Sequence, residues 1–247
     1  EMSASLVGSE MCIRDREEIN MSKLTWDNEG ERLFETGVSE VALYPFQTNG
    51  YTKGVAWNGV SSITDSPGGA ESNKIYADNI EYLNLMSAET AGGTIEAYMA
   101  PDEFAECDGS VEVAPGVYAG QQNRKKFGLA YKTILGNDTE SNDHGYKLHL
   151  VWGCLASPSE KQNSSVNESP EPLAMSWEYS ATPVKVTAAV KGKKLKATAT
   201  MTFDSTKVDA TKLQKLEGIL YGTDSSGSTE PRLPMPDEII SMMTTEG

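Results

Sequence analysis

The sequence predicts a mainly β chain: a mostly antiparallel β domain with two or three short helices and one long loop. Three observations carry the prediction. In residues 124–138, Phe127, Leu129, Tyr131 and Leu135 share one parity, while Lys126, Gly128, Ala130 and Lys132 share the other. Side chains alternate across a strand, so this stretch predicts a strand with one covered face and one wet face. The same alternation recurs in Tyr146, Leu148, Leu150, Trp152 and Cys154, and again in Leu173, Met175, Trp177 and Tyr179. Between such segments stand turn signals rather than helix-length apolar periods.

Taken in order, SEVALYP ends at Pro45, and YTKGVAWNG ends on the Asn58-Gly59 turn signal. VSSITDSPGGAESN comes next, rich in Ser, Gly and Pro, and reads as a long loop; loops of that length in compact domains are usually functional or docked. KIYADNIEYLNLMS and GTIEAYMA resume extended structure with mixed parity. APDEFAECDG predicts a short helix, with Pro101 at its first position, Asp102 and Glu103 complementing the dipole, and Gly109 as terminator. PVKVTAAVKGKKLKATATMTF predicts a hairpin turning at Gly192, with Val184, Val186, Ala188 and Val190 on one arm and Leu195, Ala197, Ala199, Met201 and Phe203 on the other. A helix through DATKLQKLEGILYG is capped by Asp209, striped by Leu213, Leu216, Ile219 and Leu220, and closed by Gly222. RLPMPDEIISMM is a short apolar segment near the end.

Length and composition set bounds. At 247 residues the chain suits one large domain or two small ones, and 38% apolar content supports a real core. No run approaches the roughly 18 apolar residues of a membrane span. The net charge of -15 argues against holding nucleic acid through broad phosphate neutralisation. The charge is uneven. Residues 27–112 hold 16 acids and 3 bases, a net of -13, whereas residues 185–215 hold eight lysines and two acids, a net of +6. A solvated face accounts for such runs; so does a molecule with two complementary ends.

Residues 1–20 differ in character from the rest of the chain. They lack the apolar core and small-residue cleavage site of a signal peptide. SASLVGSEMCIRDR resembles a translated sequencing adapter. The expected natural start is Met21, with residues 1–20 a non-native leader and residues 21–247 one domain.

Little in the chain points to chemistry. His144 and His149 are five apart, which on a strand places them on opposite faces, and no third metal ligand accompanies them. Cys12, Cys107 and Cys154 form no C-x-x-C pair and no even framework, and both Cys107 and Cys154 are expected to be free thiols. No base is positioned beside either for nucleophilic catalysis. GQQNRKK lacks the phosphate-loop spacing. Trp57, Trp152 and Trp177 could line a sugar site, although Trp152 and Trp177 sit at core parity. No catalytic, cofactor-binding or metal residue is assigned.

RLFETGVSEVALYP, GVAWNGVSSITDSPGGAES, YADNIEYLNLMSAE, TIEAYMAPDEFAECDG, GQQNRKKFGLAYKTILGND, GYKLHLVWGCLASPSE and LAMSWEYSATPV, taken together and in this order, resemble major tail proteins. These are the tail-tube subunits of long, non-contractile-tailed phages and prophages of Gram-positive bacteria. The resemblance spans about residues 31–243; the leader departs from it. It implies a β-sandwich or open barrel of the tail-tube type. Six subunits would form a ring, and rings would stack into a tube in the virion, assembled in the host cytoplasm. The tape-measure protein and later the DNA would occupy the lumen, with tail terminator and distal tail proteins at the ends. DNA would pass without specific binding, as an acidic lumen allows. No cofactor and no membrane is implied.

Two assembly features are expected. The loop at Asp65, Ser66, Pro67, Gly68 and Gly69 would dock on a neighbouring subunit or ring. Lys191, Lys193, Lys194 and Lys196 would present a basic surface to acids of the 27–112 block across a subunit boundary. Two other classes of function stay open: a monomeric β-sandwich binding a carbohydrate or cell-surface ligand, recognisable by an exposed aromatic platform, and an enzyme with a deep polar pocket.

Overall fold

The computed structural model describes residues 24–163, 165, 172–190, 192–224 and 229–244. The leader and Lys191 lie outside the described residues. The strands are β1 (Phe34–Gln47), β2 (Gly50–Thr52), β3 (Val55–Ala56), β4 (Val60–Asp65), β5 (Gly68–Gly69), β6 (Ser72–Ala77), β7 (Ile80–Met86), β8 (Glu89–Ala97), β9 (Val111–Ala114), β10 (Val117–Ala119), β11 (Phe127–Asn137), β12 (Ser141–Ala156), β13 (Met175–Ala181), β14 (Ala189–Val190), β15 (Lys193–Lys194), β16 (Thr200–Asp204) and β17 (Arg232–Leu233). The helices are α1 (Ala210–Tyr221) and α2 (Pro236–Thr244), with a 3-10 turn at Asp102–Phe104. The chain is mainly β and its strand pairs are antiparallel. Among the described residues no helix is long and apolar enough to cross a membrane.

The principal sheet runs β17-β2-β1-β11-β12-β13-β8-β4. β4 returns beside β1, so the strands from β1 to β4 curl into an open barrel. Inside it lies an aromatic core. The Phe104 ring centroid is 4.6 Å from that of Trp57, 5.3 Å from Trp177 and 5.5 Å from Phe127. Trp57 also donates its indole N–H to the Met99 carbonyl at 2.8 Å, as a buried indole requires. The 3-10 turn therefore plugs the barrel with one side chain. It begins at Asp102; Pro101, expected as its first residue, is extended (ψ 152°) and stands just before it.

A second core covers the outer face of β1, β11 and β12. Leu148, Leu150 and Trp152 meet Leu213, Leu216 and Leu220 of α1 and Ile239 of α2. Asp209 caps α1 by accepting from the Lys212 amide at 3.0 Å, and Gly222 succeeds its last residue with φ +83°, as expected. Tyr44 donates to the Leu220 carbonyl at 2.8 Å and Trp152 to the Pro234 carbonyl at 3.0 Å. These two bonds tie α1 and the segment leading into α2 to the sheet.

The packing and register correct three expectations. The face of β11 carrying Gly128 and Ala130 is not wet: both are buried. A Cβ on Gly128 would meet Leu233 at 2.3 Å, so the small residue serves close packing rather than solvent. Lys132, on the same face, is half-buried, with Nζ 2.8 Å from both Glu40 and Glu217. Next, Cys154 does not share the face of Trp152. Gly153 at φ +68° breaks the register between Phe127↔Cys154 and Leu129↔Val151, and the bulge turns Cys154 into the barrel. Finally, the hairpin expected over 183–203 pairs only as β14–β15 and at Val184↔Thr198, while β16 leaves it to pair with β12 at Lys147–Val151.

Residues 60–73 are not a long loop. β4 pairs with β8 from Val60↔Ala97 to Asp65↔Gly93, and β5 pairs with Thr90 and Glu89 of the same strand. Serine and threonine satisfy an edge strand's half-exposed pleat, and the Ser/Gly/Pro composition conceals it.

Candidate assembly surface

From the root at β5, β6 and β7 leave the barrel as a separate two-stranded arm. Its turn is Asp78-Asn79, both left-handed (φ 52° and 63°), the two-residue geometry that matches strand twist and that Asp and Asn tolerate. Pairing runs Ser72↔Met86, Asn73↔Leu85, Lys74↔Asn84 and Ile75↔Leu83, then shifts by one residue to Tyr76↔Glu81 and Ala77↔Ile80. The extra residue, Tyr82, forms a bulge, which explains the mixed parity in the sequence.

With the bulge counted, Asn73, Ile75, Ala77, Ile80, Leu83 and Leu85 lie on one side, which is aliphatic apart from Asn73. Ser72, Lys74, Tyr76, Glu81, Asn84 and Met86 lie on the other, where polar groups alternate with the exposed Tyr76 and Met86. The polar side is knit by a Lys74–Glu81 ion pair at 2.8 Å and by Ser72 donating to Asn84 at 2.6 Å. The aliphatic side is open to solvent among the described residues: Ile75 is 39% exposed, Ile80 63%, Leu83 45% and Leu85 51%. Simple alternation does not disclose this amphipathic arm, and its one local signal in the sequence is the turn pair Asp78-Asn79.

The expected docking residues form the root of the arm. The Ser66 amide donates to the Gly92 carbonyl at 2.8 Å, Pro67 stands next to it, and Gly68 and Gly69 pair with β8. Gly69 has φ +77°, and a Cβ there would stand 2.3 Å from the Ala88 carbonyl oxygen, so only glycine fits. Asp65 accepts from Tyr131 at 3.1 Å, binding β4 to the central strand β11. These residues position the arm; the exposed surface lies beyond them.

Beneath the root is a small polar cavity of about 220 Å³. The Tyr131 ring stacks on His149, centroids 4.7 Å apart and planes within 9°. Thr133 Oγ1 lies 2.9 Å from His149 Nε2 and Glu35 Oε1 lies 3.4 Å from it; Thr202 Oγ1 lies 3.3 Å from Nδ1. Burial pushes His149 below its ordinary range, against the opposing pull of Glu35 and Asp65. Burial, with the Asp65 carboxylate beside it, pushes the Tyr131 hydroxyl up. Tyr179 Oη is buried without a hydrogen-bond partner among the described residues. His149 thus has both ring nitrogens turned to threonine hydroxyls, and the Thr133 hydroxyl donates its proton to Glu35 at 2.6 Å. His144 is held elsewhere, 2.6 Å from Glu140.

Cys107 and Cys154 are free and buried. Burial first, then Glu106, pushes the Cys107 thiol up to about 12, and burial raises Cys154 too. A thiol so far from ionisation is a poor nucleophile. Trp57, Trp152 and Trp177 are buried and present no ligand platform.

Lys193 and Lys194 are paired in β15 and exposed, and Lys196 is exposed beyond them. Among the described residues none of the three takes part in an ion pair with the acids of the 27–112 block or any other. No protein-family model matches the chain, and no curated protein is significantly similar to it.

Proposed function

We propose that this chain is a structural subunit that assembles with copies of itself, as the tail-tube proteins it resembles do. In that reading six copies form a ring, rings stack into the tail tube of a virion, and the tube conducts DNA. One observation supports self-association above the rest: the β6–β7 arm holds an apolar face away from its own subunit. A lone two-stranded hairpin is at best marginally stable in water. An exposed apolar patch on a projecting element marks a site of protein contact.

The barrel interior is filled by aromatic rings, so a DNA conduit would be formed between subunits and not within one. Purified protein at rising concentration, measured by light scattering and negative-stain electron microscopy, is expected to form rings or tubes. The chain beginning at Met21 is expected to do the same. A protein that stays monomeric to millimolar concentration, across pH and salt, would refute the reading.

A further inference from the structure

The arm needs a receptor, and the fold holds a groove suited to it. Between β14–β15, β16 and the two helices lies an open apolar groove of about 770 Å³. Val186, Leu195, Met201, Phe203, Ile240 and Met243 form its apolar lining. Its charged lining is Lys196, Lys207 and Lys212 against Asp209, and Lys207 is paired with Asp204, which leaves a local net of +1. Lys212 donates to the Met243 carbonyl at 2.9 Å and Lys207 pairs with Asp204 at 2.9 Å, so those two are held at the rim. Lys193 and Lys194 extend the same basic margin.

We propose that the apolar face of the β6–β7 arm of one copy seats in this groove of the next copy. The proposal rests on the self-assembly reading above and adds to it the pair of surfaces that meet.

Charge favours the groove over four other depressions among the described residues. Between Glu71 and Glu89 the arm carries four acids, Glu71, Asp78, Glu81 and Glu89, against Lys74, a net of -3. The depression at Met99–Phe104 carries Asp102, Asp108 and Glu160 against Lys161. The one beside Pro45 carries Asp102, Glu103, Glu106 and Glu112 against Lys53. The one beside α1 carries Glu40, and the polar cavity Asp65 and Glu89. All four share the arm's own sign, and like charge disfavours docking there. The basic groove also offers branched and aromatic side chains to Ile75, Ile80, Leu83 and Leu85. Arm and groove are different surfaces, so the contact is heterologous, and each copy gives one arm and receives one. Such a contact closes into a ring or extends into a stack.

The test uses the full chain with Cys12→Ser. One preparation carries Ile80→Cys on the arm, another Leu195→Cys at the groove, and a third Val113→Cys on the exposed β9–β10 hairpin. The arm preparation is mixed with each of the others and oxidised. A covalent dimer is expected with Leu195→Cys and not with Val113→Cys. Leu83→Glu, which places a charge in the groove without touching the barrel, is expected to raise the concentration of half-assembly at least tenfold with an unchanged circular dichroism spectrum. Lys193→Glu with Lys194→Glu should act in the same direction. Assembled wild-type protein whose arm cross-links to Val113→Cys, or which tolerates Leu83→Glu, overturns the proposal and leaves self-assembly standing. A chain bearing both Ile80→Cys and Leu195→Cys that closes on itself as a monomer also overturns it. Absence of any wild-type assembly removes both readings together.

Discussion

Replacing Gly153 by alanine should be far more damaging than its size suggests. Gly153 sits at φ +68°, where an L-residue costs about 1–2 kcal/mol. The added Cβ would also stand 2.3 Å from the Thr182 carbonyl oxygen and 3.1 Å from its amide nitrogen. Both are backbone atoms, and the Thr182 amide donates to the Gly153 carbonyl at 3.0 Å, so neither swings aside. Overpacking of that kind costs about 1–3 kcal/mol. The sum is about 2–5 kcal/mol, a large part of the roughly 5–15 kcal/mol that holds a domain together. Gly116 supplies the control. Its φ is +75°, with nothing within 4 Å of an added Cβ, so Gly116→Ala should lose only the conformational part, about 1–2 kcal/mol. Urea unfolding monitored by tryptophan fluorescence gives both values, and an unchanged slope shows that stability alone has altered. Equal losses in the two variants would refute the steric argument and with it the account of how Cys154 is turned inward.

Phe104→Ala should destabilise by about 3–5 kcal/mol, because the ring joins three other aromatics inside the barrel; a loss under about 1 kcal/mol in the same assay would contradict its role. Stability should fall with acid in two stages. His149, held neutral by burial, contributes stability above its ordinary 6.5 that is lost as pH falls below it. Asp204, lowered from 3.8 to about 2 by Thr206 and then Lys207, contributes stability above 3.8 that is lost as pH falls through about 2. Melting temperature against pH should lose its upper stage in His149→Gln and part of its lower stage in Asp204→Asn. In the chain from Met21, neither Cys107 nor Cys154 should react with a thiol reagent in the native state, and both should react once unfolded.

The sequence by itself determined the mainly antiparallel β class and the core places of Trp152 and Trp177 through alternation, and the Asp209 cap through the residue types at the helix start. Those properties depend on neighbours within a few residues, and a period of two or a cap is written locally. Whether a strand's second face is wet is not local. Gly128 is small because Leu233 presses on it, and Ala130 because it packs in the same core as α1; both partners lie far along the chain, and nothing beside the two small residues records that pressure. One glycine in αL reverses every side chain after it, so Cys154 could not be placed by counting parity. The bulge at Tyr82 likewise scattered the pattern of an arm whose apolar face becomes continuous only when the register is known. The lysines of 193–196 were legible as a basic run. Their bordering of an apolar groove was decided by the meeting of β14–β16 with two helices, because a groove is made of surfaces that the chain brings together only on folding.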